Sequence, residues 1–207
     1  MTHRFADITF TDAVKAVQEQ YRSRSQNERL QQTGGPHDAL GDAETAFIAA
    51  RDSFYVATVS ATGWPYVQHR GGPPGFLKVL GPKTLAFADF RGNTQLISAG
   101  NAVGNDRVSL ILMDYAHRRR LKLLGRIRFE DASRVDPEIL KAAQMRDYRG
   151  RVERVAVIEV EAFDWNCPQH ITPRFTEAEG RSAVQPLRER IAELEAKLVS
   201  LGAEASS

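Results

Sequence analysis

Between Phe54 and Ala162 the sequence breaks into short β-prone runs punctuated by glycine and proline, and this rhythm excludes most folds. Phe54–Ser60 is rich in β-formers, and Ala61-Thr62-Gly63 is a hairpin-like turn into a returning strand, Trp64–Arg70. Pro65 stands near the start of that strand, where a missing N–H is tolerated. Gly71–Gly75 then separates it from Phe76–Leu80, and Gly81-Pro82-Lys83 turns the chain into Thr84–Asp89. Asp106–Met113 is nearly continuous in apolar residues and is expected to be buried on both faces. Leu121–Phe129 alternates: Leu121, Leu123, Ile127 and Phe129 share one face, and Lys122, Arg126 and Arg128 the other. Val152–Ala162 is the last strand. Turn signals at intervals of roughly 8–12 residues predict a small antiparallel barrel.

Helical periodicity flanks this core. Residues 11–32 read as one helix, capped by Thr11 or Asp12 and largely polar in its second half. Ala43–Ala50 is a short helix burying Phe47 and Ile48. Asn93–Gly100 is another, with Leu96 and Ile97 inward, and Asp136-Pro137 opens one that runs to about Met145. Phe163–Arg174 concentrates polar, aromatic and proline residues in an ordered loop. Val184–Leu201 spaces Leu187, Ile191, Leu194, Leu198 and Leu201 in the a/d pattern of a coiled coil; pairing between chains and packing within one chain both remain open. The expected organisation is a helical extension (1–42), a β domain (43–175) and a linker with an amphipathic helix (176–207).

The formal net charge of +2 argues against a nucleic-acid binder. One cysteine, Cys167, excludes an internal disulfide framework and a Cys-rich zinc site. His69, His117 and His170 lack metal-ligand spacing, so no metal is expected. With no apolar run of membrane-spanning length and no signal-peptide pattern, a soluble cytoplasmic protein is expected, with no membrane partner. There is no P-loop and no Gly-x-Ser-x-Gly elbow. Cys167 near His170 reads better as a small buried thiol beside a structural loop than as a nucleophile and its base.

The basic residues are local. Arg70 and Lys78 flank a glycine-rich turn that lets an anion approach the backbone. Arg91-Gly92-Asn93-Thr94-Gln95 lies between a strand and a helix start, a position that serves equally as a phosphate site and as a helix cap. Arg118-Arg119-Arg120 opens a strand, as a ligand site or as a solubilising turn. Trp64, Tyr66, Phe76, Phe90 and Trp165 supply flat apolar surface, most of it for the core. The simplest ligand for such a seam is a phosphate attached to something flat and apolar.

In this order the motifs resemble the pyridoxamine 5′-phosphate oxidase-like family. The resemblance rests on the Phe54–Ser60/Trp64–Arg70 hairpin, Phe76-Leu77-Lys78, Phe87-Ala88-Asp89 with Asn93-Thr94-Gln95, Asp106–Met113, and Arg119–Gly125. His69–Gly75 and Asn166-Cys167-Pro168-Gln169-His170 resemble a bacterial subgroup of flavin-nucleotide-binding proteins rather than the true oxidases. The resemblance implies a mainly β (α+β) protein: a six-stranded antiparallel split β-barrel with flanking helices and a C-terminal helix. It further implies a homodimer with FMN at the subunit interface and a small-molecule substrate.

Matched position by position, the resemblance assigns Lys78 to the FMN phosphate, Ala88 and Asp89 to the backbone beside the flavin, and Asn93, Thr94 and Gln95 to a Ser-Arg-Lys phosphate-binding run. That run has lost both cations, which Arg70, Arg91 or Arg119 would replace. Arg120 falls where the family often carries glutamine. Trp165, Asn166, Gln169 and His170 resemble the segment that closes the site, with His69 beside Arg70. Arg120 and His170 are the candidates for a cation at the reducible edge of the flavin. The Arg-x-His motif for pyridoxal phosphate is not evident, so an FMN-dependent oxidoreductase acting on another small molecule is expected. The alternative is a non-catalytic flavin, deazaflavin or haem binding protein on the same barrel.

Overall fold

The structure, a computed structural model, describes residues 2–145, 148, 150–165 and 167–204. Met1–Asp114 with Arg119–Pro168 form one compact unit, and Tyr115–Arg118 with Gln169–Ser207 a second.

The first unit opens with a short helix α1 (Arg4–Thr9), followed by two helices, α2 (Asp12–Gln20) and α3 (Arg24–Thr33), in place of the single helix expected over 11–32. The break falls at Arg22, which takes a left-handed φ of 56°. Thr11 caps α2 by accepting from the Val14 N–H at 3.3 Å. Helix α4 (Asp42–Ala49) follows and buries Phe47 and Ile48, as expected.

Then come β1 (Ser53–Val59), β2 (Pro65–Gly71), β3 (Lys78–Gly81), β4 (Thr84–Phe90), α5 (Ile97–Gly104), β5 (Arg107–Asp114), β6 (Arg119–Asp131), α6 (Pro137–Ala143) and β7 (Val152–Trp165). The strands form one antiparallel sheet in the order β2-β1-β5-β6-β7-β4-β3. The architecture is α+β; among the described residues the sheet has seven strands and is not closed, where the resemblance implies a six-stranded barrel, the short β3 being added along the edge of β4. No backbone pairing among the described residues joins β2 to β3.

One face of the sheet encloses the core, which includes Phe54, Leu85, Phe87, Leu110, Leu121, Leu123 and Ile158. Helix α6 covers part of the other face through Ala86, Val135, Ala143, Val155 and Val157. The fully buried apolar run therefore belongs to β4 and β7. Strand β5, expected to be buried on both faces, alternates instead, with Arg107 and Ser109 exposed. In β6, Leu121, Leu123 and Ile127 are buried as expected, whereas Phe129 is only half-buried. The β6–β7 register shifts at Leu124/Gly125, where a Cβ on Gly125 would meet the Glu159 carbonyl oxygen at 2.3 Å.

Two further expectations are corrected. Helix α5 begins at Ile97 rather than Asn93, and Leu96 and Ile97 are partly exposed at 47% and 38%; the residues before Ile97 are held by left-handed turns instead of helix hydrogen bonds. Phe163, Asp164 and Trp165 belong to the end of β7, not to a loop.

The second unit carries α7 (Glu177–Glu204), which extends the expected helix by two turns at its N-terminal end and runs through Pro186. No helix among the described residues is long and apolar enough to cross a membrane.

Candidate functional site

Alternation along β2 sends Tyr66, Gln68 and Arg70 to one side and Val67, His69 and Gly71 to the other. Arg70 pairs in register with the buried Phe54, and its guanidinium lies 5.7 Å from the centre of the Phe87 ring. Along β4, Leu85, Phe87 and Asp89 share the inward face, which leaves Asp89 only 4% exposed.

A buried carboxylate needs partners, and Asp89 has two. Arg70 Nη1 donates to Oδ1 at 2.6 Å; Arg154 donates to Oδ2 through Nε at 3.0 Å and Nη2 at 2.8 Å. Arg154 is the register partner of Asp89 on β7. Two guanidinium groups on one carboxylate leave a net charge of about +1 from the trio. Arg70 also keeps a buried Nε with no partner.

The chain leaves β4 through an irregular turn. Thr94 and Leu96 adopt left-handed φ angles of 58° and 56°, unusual for side chains of this kind. Asn93 Oδ1 accepts from the Gln95 N–H at 3.2 Å, a local Asx turn that occupies the backbone in place of a helix start. Helix α5 is tied back to the sheet by Ser98 Oγ to Gln68 Oε1 at 3.0 Å and by Asn101 Nδ2 donating to Thr58 Oγ1 at 3.0 Å. Together these elements enclose a cleft of about 200 Å³ lined by Tyr66, Gln68, Arg70, Asp89, Arg154 and the turn from Gly92 to Ile97. It combines cations, amides, hydroxyls and a phenol beside exposed backbone, which suits an oxyanion with a polar chain attached.

Of the residues expected to act, Arg70, Asp89, Asn93, Thr94 and Gln95 meet at this cleft. Arg91 stands exposed beside it, 3.7 Å from Glu153. The others lie elsewhere. His69 faces away, exposed, with its ring edge-on to Tyr55 at 5.5 Å. Lys78 is half-buried on β3 and does not line the cleft. Ala88 points to the opposite face of β4 from Asp89, so only its backbone is near. Arg120 is half-buried and keeps a buried Nε without a partner. Arg119 packs over Trp165 at 4.7 Å and over Phe47 at 5.2 Å, and Trp165 donates from Nε1 to Glu44 Oε1 at 2.7 Å. Gln169 and His170 are exposed in the second unit, Cys167 is exposed rather than buried as expected, and Asn166 lies outside the described residues.

Sequence reasoning missed Arg154, Gln68 and Ser98. The signal for Arg154 was present: it is the one cation within the run Val152–Ala162.

The side chains of His3, His37 and Asp164 also come together, with one candidate ligand atom from each within 4.8 Å of the others. Their hydrogen bonding fits a polar clasp better than a metal centre. The Ala6 N–H donates to His3 Nδ1 at 3.4 Å, so that nitrogen is the unprotonated one and Nε2 carries the proton of the neutral ring. That Nε2 faces Asp164 Oδ1 at 3.7 Å, and Lys122 Nζ holds Asp164 Oδ2 at 2.9 Å. A metal-bound imidazole would instead present Nδ1 as a donor, against the amide. Burial, then proximity to His37, holds the His3 pKa below its ordinary value.

An antiparallel α+β sheet curled around one core, with an anion-suited cleft between its two ends, defines the class. A comparison with family profiles matches residues 40–166 to "Pyridoxamine 5′-phosphate oxidase". The chain belongs to that family. Among solved structures it resembles HupZ of Group A Streptococcus, with a TM-score of 0.50 and 16% identity over 66% of this chain and 99% of that one. It also matches an FMN-binding protein from Syntrophomonas wolfei (TM-score 0.42, 11% identity, 75% and 97% covered) and the FAD binding protein from Mycobacterium smegmatis (0.44, 14%, 62% and 96%). No curated protein sequence matches the chain.

Proposed function

We propose that this chain is an FMN-binding oxidoreductase that acts on a small molecule as a homodimer, with cofactor sites shared between subunits. The carrying observation is the cleft over the Arg70–Asp89–Arg154 trio. Arg70 lines it, and the Asn93–Gln95 turn supplies backbone and side-chain donors at its rim. A phosphate monoester is the anion such a cradle favours, held by charge-assisted hydrogen bonds.

The fit with FMN is one of chemistry and of size. At about 200 Å³ the cleft is smaller than the roughly 300–1,000 Å³ of a complete ligand pocket. It suits the phosphate and part of the polar chain, and leaves the ring system to a second surface. That partition supports a site completed by another subunit. When bound, FMN supplies hydride and single-electron chemistry. The chain's own residues fix the phosphate through Arg70 and the turn, while Asp89 holds both guanidinium groups in place.

A second reading, a non-catalytic flavin carrier, has one observation behind it. Asp89 is engaged by both arginines, so the cleft's buried carboxylate is not free to accept a proton from a substrate.

The test is a visible spectrum of the purified protein with and without added FMN, followed by NADH and NADPH. Bound flavin bands with turnover support the oxidoreductase; bands without turnover support the carrier. A protein that leaves the FMN spectrum unchanged overturns both, and a Soret band moves the assignment to haem.

A further inference from the structure

We infer that α7 is a pairing segment that forms a parallel two-stranded coiled coil with α7 of a second copy of this chain. The seam is written in heptads. Val184, Ile191 and Leu198 occupy the a positions, and Leu187, Leu194 and Leu201 the d positions. All six are exposed, from 41% for Val184 to 68% for Leu198. Two of the three a residues, Val184 and Ile191, are β-branched and all three d residues are leucine, the combination that favours two parallel strands over higher assemblies, with Leu198 the exception.

The charges that flank the seam choose the occupant and its direction. Arg190 precedes the a residue Ile191, and Glu195 follows the d residue Leu194. In a parallel in-register pair, Arg190 of each copy reaches Glu195 of the other, so the two-fold axis makes the attraction twice. In an antiparallel pair, the flank carrying Arg190 and Lys197 would face its own equivalent, cation against cation. The other flank, Arg188 and Glu195, would attract its equivalent in that arrangement, so a second copy is the complementary surface and the parallel pair is favoured because it alone avoids the repulsion.

Pairs within the helix already support it, and Arg190 would leave its own Glu193 to reach Glu195 of the other copy. Glu193 accepts from Arg190 at 2.5 Å and from Lys197 at 2.7 Å, and Gln185 donates to Glu189 at 2.9 Å. A seam this short is marginal alone. It holds once the chains are brought together elsewhere, when the second contact becomes intramolecular; in that respect the inference rests on the homodimer reading above.

The test is disulfide trapping in the full chain, with the exposed Cys167 replaced by serine. Under mild oxidation C167S/L187C is expected to run as a covalent dimer, because d positions face each other across a parallel pair within disulfide reach. C167S/E189C, with its cysteine on the outer face, is expected to stay uncrosslinked. No crosslink from L187C, or a crosslink only when it is mixed with C167S/L198C, the a position that would face Leu187 in an antiparallel pair, overturns parallel pairing. FMN titration of the same proteins reads the cleft separately: flavin bound without a crosslink sinks the α7 pairing alone, and a crosslink without flavin binding sinks the cofactor reading alone.

Discussion

Arg70 Nη1 lies 2.6 Å from Asp89 Oδ1, although β1, β5, β6 and β7 stand between their strands in the sheet. The contact is possible only because the twisted sheet coils until β2 approaches β4. An ion pair thus bridges the gap that no backbone ladder closes, and the cleft opens above it. The same two residues serve the fold and line the candidate site.

Asp89→Asn tests the structural half of that statement. It leaves two buried guanidinium groups without a counter-charge, and removing one member of a buried pair typically costs about 3–5 kcal/mol. Arg70 and Arg154 keep some access to solvent, with side chains 19% and 18% exposed, so the expected loss is at the lower end, about 3 kcal/mol. Urea unfolding should show a lower midpoint at unchanged slope. An unaltered midpoint would mean that the trio contributes nothing to closure.

Arg70→Ala tests the binding half. Loss of a hydrogen bond to a charged group costs about 1.5–3 kcal/mol, so FMN affinity should fall on the order of ten- to a hundredfold. Arg70→Lys should not restore it, because an ammonium lacks the planar fork that serves Asp89 and an anion together. Fluorescence titration with FMN measures both. Wild-type affinity in either variant would move the phosphate away from this cleft.

How much of this was legible in the sequence depended on the range of the contact. Hairpins and strand faces were readable because alternation and Gly/Pro turns are local; the inward sets Leu121/Leu123/Ile127 and Phe47/Ile48 are where the pattern put them. The site was readable only in part. Arg70, Asp89 and Asn93–Gln95 were marked by their position at strand ends, but Arg154 meets Asp89 through pairing between residues far apart in the chain, which no local pattern encodes. The same holds for His3 with Asp164. The start of α5 was misplaced because Asn93 caps a turn as well as it caps a helix.

Gly125→Ala probes the irregularity that bends β6 against β7. The new Cβ would sit 2.3 Å from the Glu159 carbonyl oxygen, a backbone atom that cannot rotate away. Overpacking of this kind costs about 1–3 kcal/mol. For a chain of this size that corresponds to a fall in Tm of about 3–10 °C, readable by differential scanning calorimetry. An unchanged Tm would show that the register shift relaxes freely.

His3 makes the N-terminal segment acid-sensitive. The ring is 2% exposed, and desolvation and the nearby His37 hold its pKa below the ordinary 6.5, against the opposing pull of the Asp164 and Asp7 carboxylates. A group whose folded pKa is depressed contributes stability above its unfolded pKa and loses it as the pH falls through the folded value. The attachment of α1 should therefore be intact above pH 6.5 and weaken below it, once the unfolded segment takes up a proton that the folded one resists. His3→Asn keeps a side-chain acceptor for the Ala6 N–H, the capping function, while removing the titrating ring. Amide exchange over Arg4–Thr9, followed from pH 8 down to pH 5 and corrected for the intrinsic rate, should show protection lost in the wild type and largely flat in the variant. Equal loss in both would take the acid sensitivity away from His3.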